Sequence, residues 1–347
     1  MFTCNFCDLP ANVLGLLQQG TAFHQPWFRD IASGAATKVT AIAELDGEIA
    51  ACLPYTIATE KFFFFCADKA AWTHVNGPVF AEGLDQSQKA EATRRLLAQL
   101  PHWYSFHFFC DPSDDNPILV DQFKAAGFTH TTQFTHHEYP TDPDVMDPNN
   151  PNGLDKKRRA NIRRAEKRVF IMEAITGQEF MQFYLHNLSA AQKICNQDQS
   201  VLAPIIDIGQ SRKLTTPSQK ETSSVIIFAA REVESKTAPL VAAIACLLDS
   251  KRCFYWLTSR RRSDGYDDTV KALIIRARQK ARELGLIFDS DGADEEGCHT
   301  LYTRLKFPRE VRKDIFSRPA FYDRRAALKT YIRQAKSSLS RVGLLCI

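Results

Sequence analysis

The chain has 347 residues, 44% of them hydrophobic, with a formal net charge of +4 and ten cysteines. That length and apolar content allow two domains with buried cores, and no apolar run reaches the roughly 18 residues that a membrane helix requires. The opening MFTCNFCDLP lacks a basic segment followed by an apolar one, so no signal peptide is expected, and the scattered cysteines read as reduced thiols of a cytoplasmic protein.

In chain order, Cys4 and Cys7 form one CxxC. With no second CxxC or CxxH pair, no zinc site is predicted. Residues Thr37–Thr59 read as two strands around Asp46-Gly47, a strong hairpin turn. A helical run from Ser87 to Leu100 follows, then a strand ending at Asp111, then a short helix closing at Gly127-Phe128. The segment Thr129–Tyr139 alternates like a strand, which places His130 and His136 on one face; with His137 they lack a third ligand on that face, so no metal is predicted. Tyr139–Asp155 is rich in Pro, Asp and Asn and reads as a linker.

Lys156–Arg168 (KKRRANIRRAEKR) carries eight basic residues and one acidic one. Ile162, Ala165 and Val169 share one side of the implied helix. The charged sides are either a solvated face or an anion-binding wall between two units, with Arg159, Arg163 and Arg164 as the binding candidates. No aromatics interleave the charges, which argues against a sequence-reading RNA surface. Charge is segregated: residues 1–155 hold 8 basic and 19 acidic residues, whereas residues 304–347 hold 12 and 3. A nucleic-acid binder usually spreads its positive charge more widely. The split predicts instead that the tail folds back on the first half, through a helix over 324–339.

The second half repeats the first about 180 residues later. Ser223–Asp249 reads as two strands around a polar turn, and Lys251–Ser259 as a third. The next helix has Val270, Leu273, Ile274, Ala277, Ala281 and Leu284 on one stripe, with Asp267 or Asp268 as its expected N-cap and Gly285 as its C-cap. A strand, Leu286 to Asp289, and a short closing helix ending at Lys306-Phe307 complete the unit. The expected class is α+β: two units, each a mostly antiparallel meander with a crossover helix, over residues 1–150 and 151–307, and a C-terminal helical segment over 308–347.

That order, with "LYTRLKF" and "FKAAGF" at corresponding places, resembles the GNAT acyltransferase fold. Two such units, with "NIRRAEKRVF" opening the second and "FDSDGADEEGCHTLYTRLKF" closing it, resemble the Fem-type aminoacyltransferases and related tandem GNAT N-acyltransferases. The resemblance implies an acyltransferase that forms an amide on a small-molecule or peptide amine. The donor is an acyl-thioester (acyl-coenzyme A or carrier-bound), with aminoacyl-tRNA as the alternative; a non-catalytic anion-binding protein of the same fold is the reading from another class. No tightly bound cofactor is expected, with acyl-coenzyme A as co-substrate. The resemblance also implies a pair of central strands that splay to admit the donor, sought here at 240–248 and 253–259. Ala242, Ala243 and Ala245 would leave room beside the backbone there, and either Tyr255 or Trp256 would face the cleft. Arg260, Arg261, Arg262 and Gly265 stand where a coenzyme A diphosphate loop would be, with a single glycine. Asp289 and Asp291 share a strand side, as an ammonium-handling pair or as a strand-end cap. Tyr302 stands where the fold places a tyrosine that protonates the leaving thiolate. Arg304 replaces the Lys that Fem enzymes set beside the aminoacyl ester, which favours the thioester donor, with Lys306 as an alternative cation.

Overall fold

The computed structural model describes residues 1–59, 65–102, 104–112, 116–232, 238–261, 266–292 and 296–319. Its first half runs α1 (Ala11–Gln19), α2 (Pro26–Ala32), β1 (Thr37–Leu45), β2 (Glu48–Thr59), β3 (Phe65–Asp68), β4 (Val79–Phe80), α3 (Gln86–Ala98), β5 (Ser105–Phe109), α4 (Asn116–Ala125) and β6 (Thr129–Glu138). The second half runs α5 (Lys156–Arg168), β7 (Phe170–Met172), α6 (Gly177–Ala190), α7 (Leu202–Ser211), β8 (Lys213–Thr215), β9 (Glu221–Ser223), β10 (Val225–Arg231), β11 (Leu240–Leu248), β12 (Arg252–Arg260), α8 (Asp267–Leu284), β13 (Ile287–Asp289), α9 (Glu296–Arg304) and β14 (Arg309–Arg318). Each half is an antiparallel meander, a crossover helix, a parallel strand, a short helix and a last strand. The β1–β2 turn has Asp46 and Gly47 both left-handed, at φ 52° and 86°. That is the geometry a two-residue hairpin needs, and Gly adopts it without a Cβ penalty.

One sheet joins the halves, in the order β1-β2-β3-β5-β14-β6-β13-β12-β11-β10-β7. The last strands are exchanged: β6 of the first half pairs with β13 of the second, while β14 of the second pairs with β5 of the first. β6 and β14 then pair with each other from Arg309↔His137 to Ser317↔Thr129. The chain from Arg309 to Arg318 is therefore a strand and not the start of a helical segment, and it lies in the sheet beside β5. Arg309 meets Asp142 at 2.9 Å. The helix expected over 324–339 lies outside the described residues.

Helices α3, α4, α8 and α9 cover one face of this sheet. Phe123 of α4 stacks on Phe316 of β14 at 4.0 Å, Tyr302 of α9 packs on His136 of β6 at 5.3 Å, and Arg278 of α8 bonds the carboxylate of Glu138. The apolar stripe of α8 is buried on β10, β11 and β12, as its spacing predicts. The helix ends on Gly285 at φ 72°, but neither Asp267 nor Asp268 is its N-cap. It starts at Asp267, after Tyr266, so both carboxylates lie in the first turn, where they favour the helix dipole without capping it. On the other face, α2, α6 and α7 pack on the second unit through Trp27, Phe28, Phe180 and Ile206. Every residue of β10 and β11 is buried, because helices cover both faces. Each large apolar side chain so buried contributes about 1.5–3 kcal/mol.

Candidate functional site

The sheet parts in the second unit. β12 and β13 run parallel for three rungs only, Arg252↔Ile287, Cys253↔Phe288 and Phe254↔Asp289. Past Phe254 no strand among the described residues pairs with β12 on this side. The expected splay between β11 and β12 is thus displaced by one strand. Those two pair from Ala242↔Arg260 to Leu248↔Cys253, since an antiparallel neighbour joined by a short turn keeps its ladder, whereas the parallel strand after a helix arrives short. Ala243 and Ala245 are fully buried in the core under α6 and α7 and line no opening. A bulge sets Ala245 opposite Leu257 and Cys246 opposite Tyr255, leaving Trp256 as the extra residue. Bulges bend a strand and re-aim its side chains. Here Tyr255 goes to the α8–α9 side, against Phe288 and Tyr302, and Trp256 to the other.

On the α8–α9 side the Tyr302 hydroxyl donates to the Ser290 carbonyl at 3.2 Å, just past the last β12–β13 rung. On this side of the sheet a cavity of about 290 Å³ lies between the first turn of α8, the last turn of α9 and α5. Arg158, Asn161, Asp268, Lys271, Arg304 and Leu305 line it. Arg158 donates to the Arg304 carbonyl at 3.4 Å, and Lys271 meets Asp268 at 2.6 Å. Helix α5 is the basic helix with the bounds the sequence predicts, capped by Asp155. It does not stand in a cleft between the units: buried Ile162 and Ala165 dock it on the second unit beside α8, and Glu166 meets Arg276 of α8 at 3.1 Å. Arg163 and Arg164 point to solvent, and Arg159 bonds the Leu154 carbonyl, so Arg158 is the basic residue brought to the cavity. Of the expected phosphate ligands, Arg260 is paired with Asp267 and Arg261 with Glu232 at 2.5 Å. Arg262 and Gly265 lie outside the described residues.

On the opposite side of the sheet the two aspartates part company. Asp289, fully buried, accepts from His137 Nε2 at 3.0 Å and from Thr135 Oγ1 at 2.5 Å, with Arg252 at 3.8 Å. Burial by itself raises this carboxyl, but the hydrogen bond and charge of His137, the charge of Arg252 and the Thr135 hydroxyl outweigh it. The group is held well below the usual carboxylate range. Asp289 is therefore a fixed anion of the seam between the units, not a proton acceptor near neutral pH. Asp291 lies beyond the strand in a left-handed conformation, φ 59°. Its Oδ2 accepts from His74 Nδ1, and Lys313 Nζ stands 3.6 Å from Oδ1.

His74 comes from the first unit, on the loop after β3. Trp72 of this loop is left-handed, φ 61°, a conformation that costs a bulky residue on the order of 1–2 kcal/mol. It is held from three sides: its N–H donates to Gln197 Oε1 at 3.0 Å, its Nε1 to the Asp198 carbonyl at 2.7 Å, and its carbonyl accepts from Trp256 Nε1 at 2.9 Å. The same loop closes the first unit's own gap. β3 and β5 pair through Cys66↔Ser105 and Ala67↔Phe106. Beyond that point Asn76 takes the place of a strand. Its N–H donates to the Phe109 carbonyl at 2.9 Å, its Oδ1 accepts from Phe109 N–H at 2.8 Å, and its Nδ2 donates to the His107 carbonyl at 3.0 Å. His24 braces the seal, donating from Nε2 to the Gly77 carbonyl at 3.0 Å while Nδ1 accepts from Thr21. Burial lowers the pKa of His24 to about 4, so it is neutral. Among the described residues no group of three or more His, Cys, Asp and Glu is placed to hold a metal; His130, His136 and His137 go to Asp314, Glu310 and Asp289 respectively.

Two parallel strands parting beside a crossover helix, twice in one chain, settle the architecture. The fold is that of a tandem GNAT protein. FemX is similar at a TM-score of 0.61 and 11% identity, over 90% of this chain and 97% of that one. The C-terminal domain of a putative lysylphosphatidylglycerol synthetase from Agrobacterium fabrum is similar at 0.55 and 12%, over 92% and 95%. A tandem GNAT protein from the clavulanic acid biosynthesis pathway follows at 0.52 and 10%, over 91% and 97%. No family model matches the chain, and no curated protein matches it in sequence. Of the residues singled out from the sequence, Tyr302 and Asp291 lie next to the end of β13, and Arg304 lines the cavity. His74, Asn76, Arg158, Lys271 and Lys313, which the local sequence does not single out, also lie around these places. Asn76-Gly77 reads locally only as a turn, and nothing in the spacing of His74 and Asp291, 217 residues apart, announces their contact.

Proposed function

We propose that the chain is an N-acyltransferase that carries an acyl group from a thioester to an amine at the β12–β13 opening. The observation that carries this reading is the opening itself, backed by a cavity lined by Arg158, Lys271 and Arg304 together with one carboxylate, Asp268, which Lys271 meets. Three basic side chains near the first turn of a long helix suit an anionic donor head such as the diphosphate of coenzyme A. The acyl arm enters between β12 and β13. There a backbone amide of β12, released from strand pairing past Phe254, stabilises the oxyanion, and the amine approaches from the opposite side of the sheet. Tyr302, at the mouth of the opening, serves the leaving sulfur. A thioester needs less electrophilic help than an aminoacyl ester, which fits Arg304 where Fem enzymes keep a Lys.

The test measures binding of a panel of acyl-coenzyme A compounds, and separately of charged tRNA, by calorimetry, with thiol release followed in the presence of a panel of amines. Micromolar binding of an acyl-coenzyme A, with amine-dependent thiol release, is the expected result. Binding of charged tRNA alone changes the donor to an aminoacyl ester. Binding of an anion without turnover of either donor leaves an anion-binding protein.

A further inference from the structure

We infer, resting on the acyl-transfer reading above, that His74 of the first unit is the general base of the second unit's opening and that Asp291 is its positioning residue. The Nδ1–H of His74 donates to Asp291 Oδ2, which leaves Nε2 as the ring nitrogen available to exchange a proton. Among the described residues Nε2 has no hydrogen-bond partner. The His74 side chain is 29% exposed, whereas that of Asp291 is 2% exposed. A buried carboxylate thus orients a ring whose free nitrogen faces solvent, the arrangement that general-base catalysis requires.

Its place is the second observation. The His74 ring stacks on Phe23 at 5.4 Å, and Phe23 packs on Phe254 at 5.1 Å. Phe254 is the last β12 residue paired with β13. Two residues before His74, the Trp72 carbonyl takes the indole proton of Trp256, the bulged residue just past the parting point. Asp291 follows β13 by two residues on the other strand of the gap. Both partners therefore sit at the mouth of the opening, on the side away from α8, α9 and the cavity. Both are also presented by left-handed residues, Trp72 and Asp291 itself. Strain of that kind persists where the surroundings hold a site in place. A cation at Lys313 neutralises the second oxygen of Asp291.

The step balances without a further reactant. The amine nitrogen forms a C–N bond to the acyl carbonyl carbon, and the proton it sheds passes to His74 Nε2. The C–S bond breaks with its electron pair on sulfur, which leaves as the thiol after taking a proton from Tyr302 or water; His74 returns its proton to solvent, and solvent reprotonates Tyr302. The first unit, whose own gap is sealed, then contributes the base to the second.

The test follows thiol release from acyl-coenzyme A with the amine panel, using wild type, His74→Ala, His74→Gln and Asp291→Asn. His74→Ala is expected to lower kcat by about 100-fold with donor KM within about threefold, and added imidazole to restore activity by about tenfold or more, which a purely structural histidine does not allow. Asp291→Asn lowers kcat by about tenfold. Should His74→Ala fail to fold, His74→Gln, which keeps a donor for Asp291, carries the test through the same loss of kcat with an unchanged Tm. Retention of kcat within about threefold in a folded His74 variant overturns the inference and leaves the acyl-transfer reading standing. Absence of turnover by wild type with every acyl-coenzyme A and amine overturns both.

Discussion

The two halves hold the same gap and treat it in opposite ways. In the first, the parallel strands β3 and β5 separate and Asn76 fills the place between them, giving β5 the hydrogen bonds that a strand would give. In the second, β12 and β13 separate past Phe254 and remain apart, with a cation-lined cavity on one side and His74 with Asp291 on the other. A parallel pair that diverges exposes backbone groups that must be satisfied or left for a ligand. One half does the first, the other the second, and the loop that seals one gap also equips the other. Duplication of a fold thus leaves one opening for chemistry and turns its twin into a support.

The most direct way to break this comparison is Asn76→Ala. It leaves the part-buried Phe109 N–H and His107 carbonyl without the Asn76 side chain, at a cost of about 2 kcal/mol by lost hydrogen bonding. Chemical denaturation measures it; a loss under about 1 kcal/mol shows that the seal is not what holds the first unit. Next is pH. His24 has its pKa lowered by burial from 6.5 to about 4. The unfolded chain therefore binds the proton first, so the stability is fully present above about pH 6.5, declines as pH falls, and is lost below about pH 4, in total about 3 kcal/mol. In His24→Gln the slope of stability against pH between 4 and 6.5 should flatten by about one proton; an unchanged slope assigns the effect elsewhere.

A third prediction contrasts the two crossover helices. Lys271→Glu with Arg304→Glu, at the second unit's cavity, should weaken acyl-coenzyme A binding by about 30-fold, or about 2 kcal/mol. Lys89→Glu, at a comparable position on α3 beside a similar cavity in the first unit, should change it by less than about twofold. Equal losses by calorimetry make the two openings equivalent and end the comparison. The smallest effect is expected for Arg163→Glu with Arg164→Glu. Both side chains are exposed on the outer face of α5 and do not line the second unit's cavity, so donor affinity should stay within about twofold at physiological salt. A loss beyond tenfold returns the whole basic helix to the site.

Much of the fold is legible in local pattern. The turn at Asp46-Gly47, the stripe of α8 with Gly285 at its end, and α5 from Lys156 to Arg168 each follow from residues within one or two turns of each other. Periodicity and turn chemistry are short-range, so sequence carries them directly. The spacing of two such patterns also gave the duplication, and with it the resemblance to tandem acyltransferases. What the sequence alone did not determine is every feature made by partners far apart in the chain. The alternating pattern of residues 129–138 specifies a strand but not that its neighbours are β13 and β14. The small residues of β11 suggest room beside a backbone, yet packing under α6 and α7 fills it. Asp289 and Asp291 look like a pair on paper, but a left-handed turn and two separate sets of partners divide them. The contact of His74 with Asp291 exists only because the exchanged strands hold the two units edge to edge in one sheet. Local sequence sets the conformation of each element, and only the tertiary structure decides which elements meet, because register and charge pairing depend on distances that chain separation does not encode.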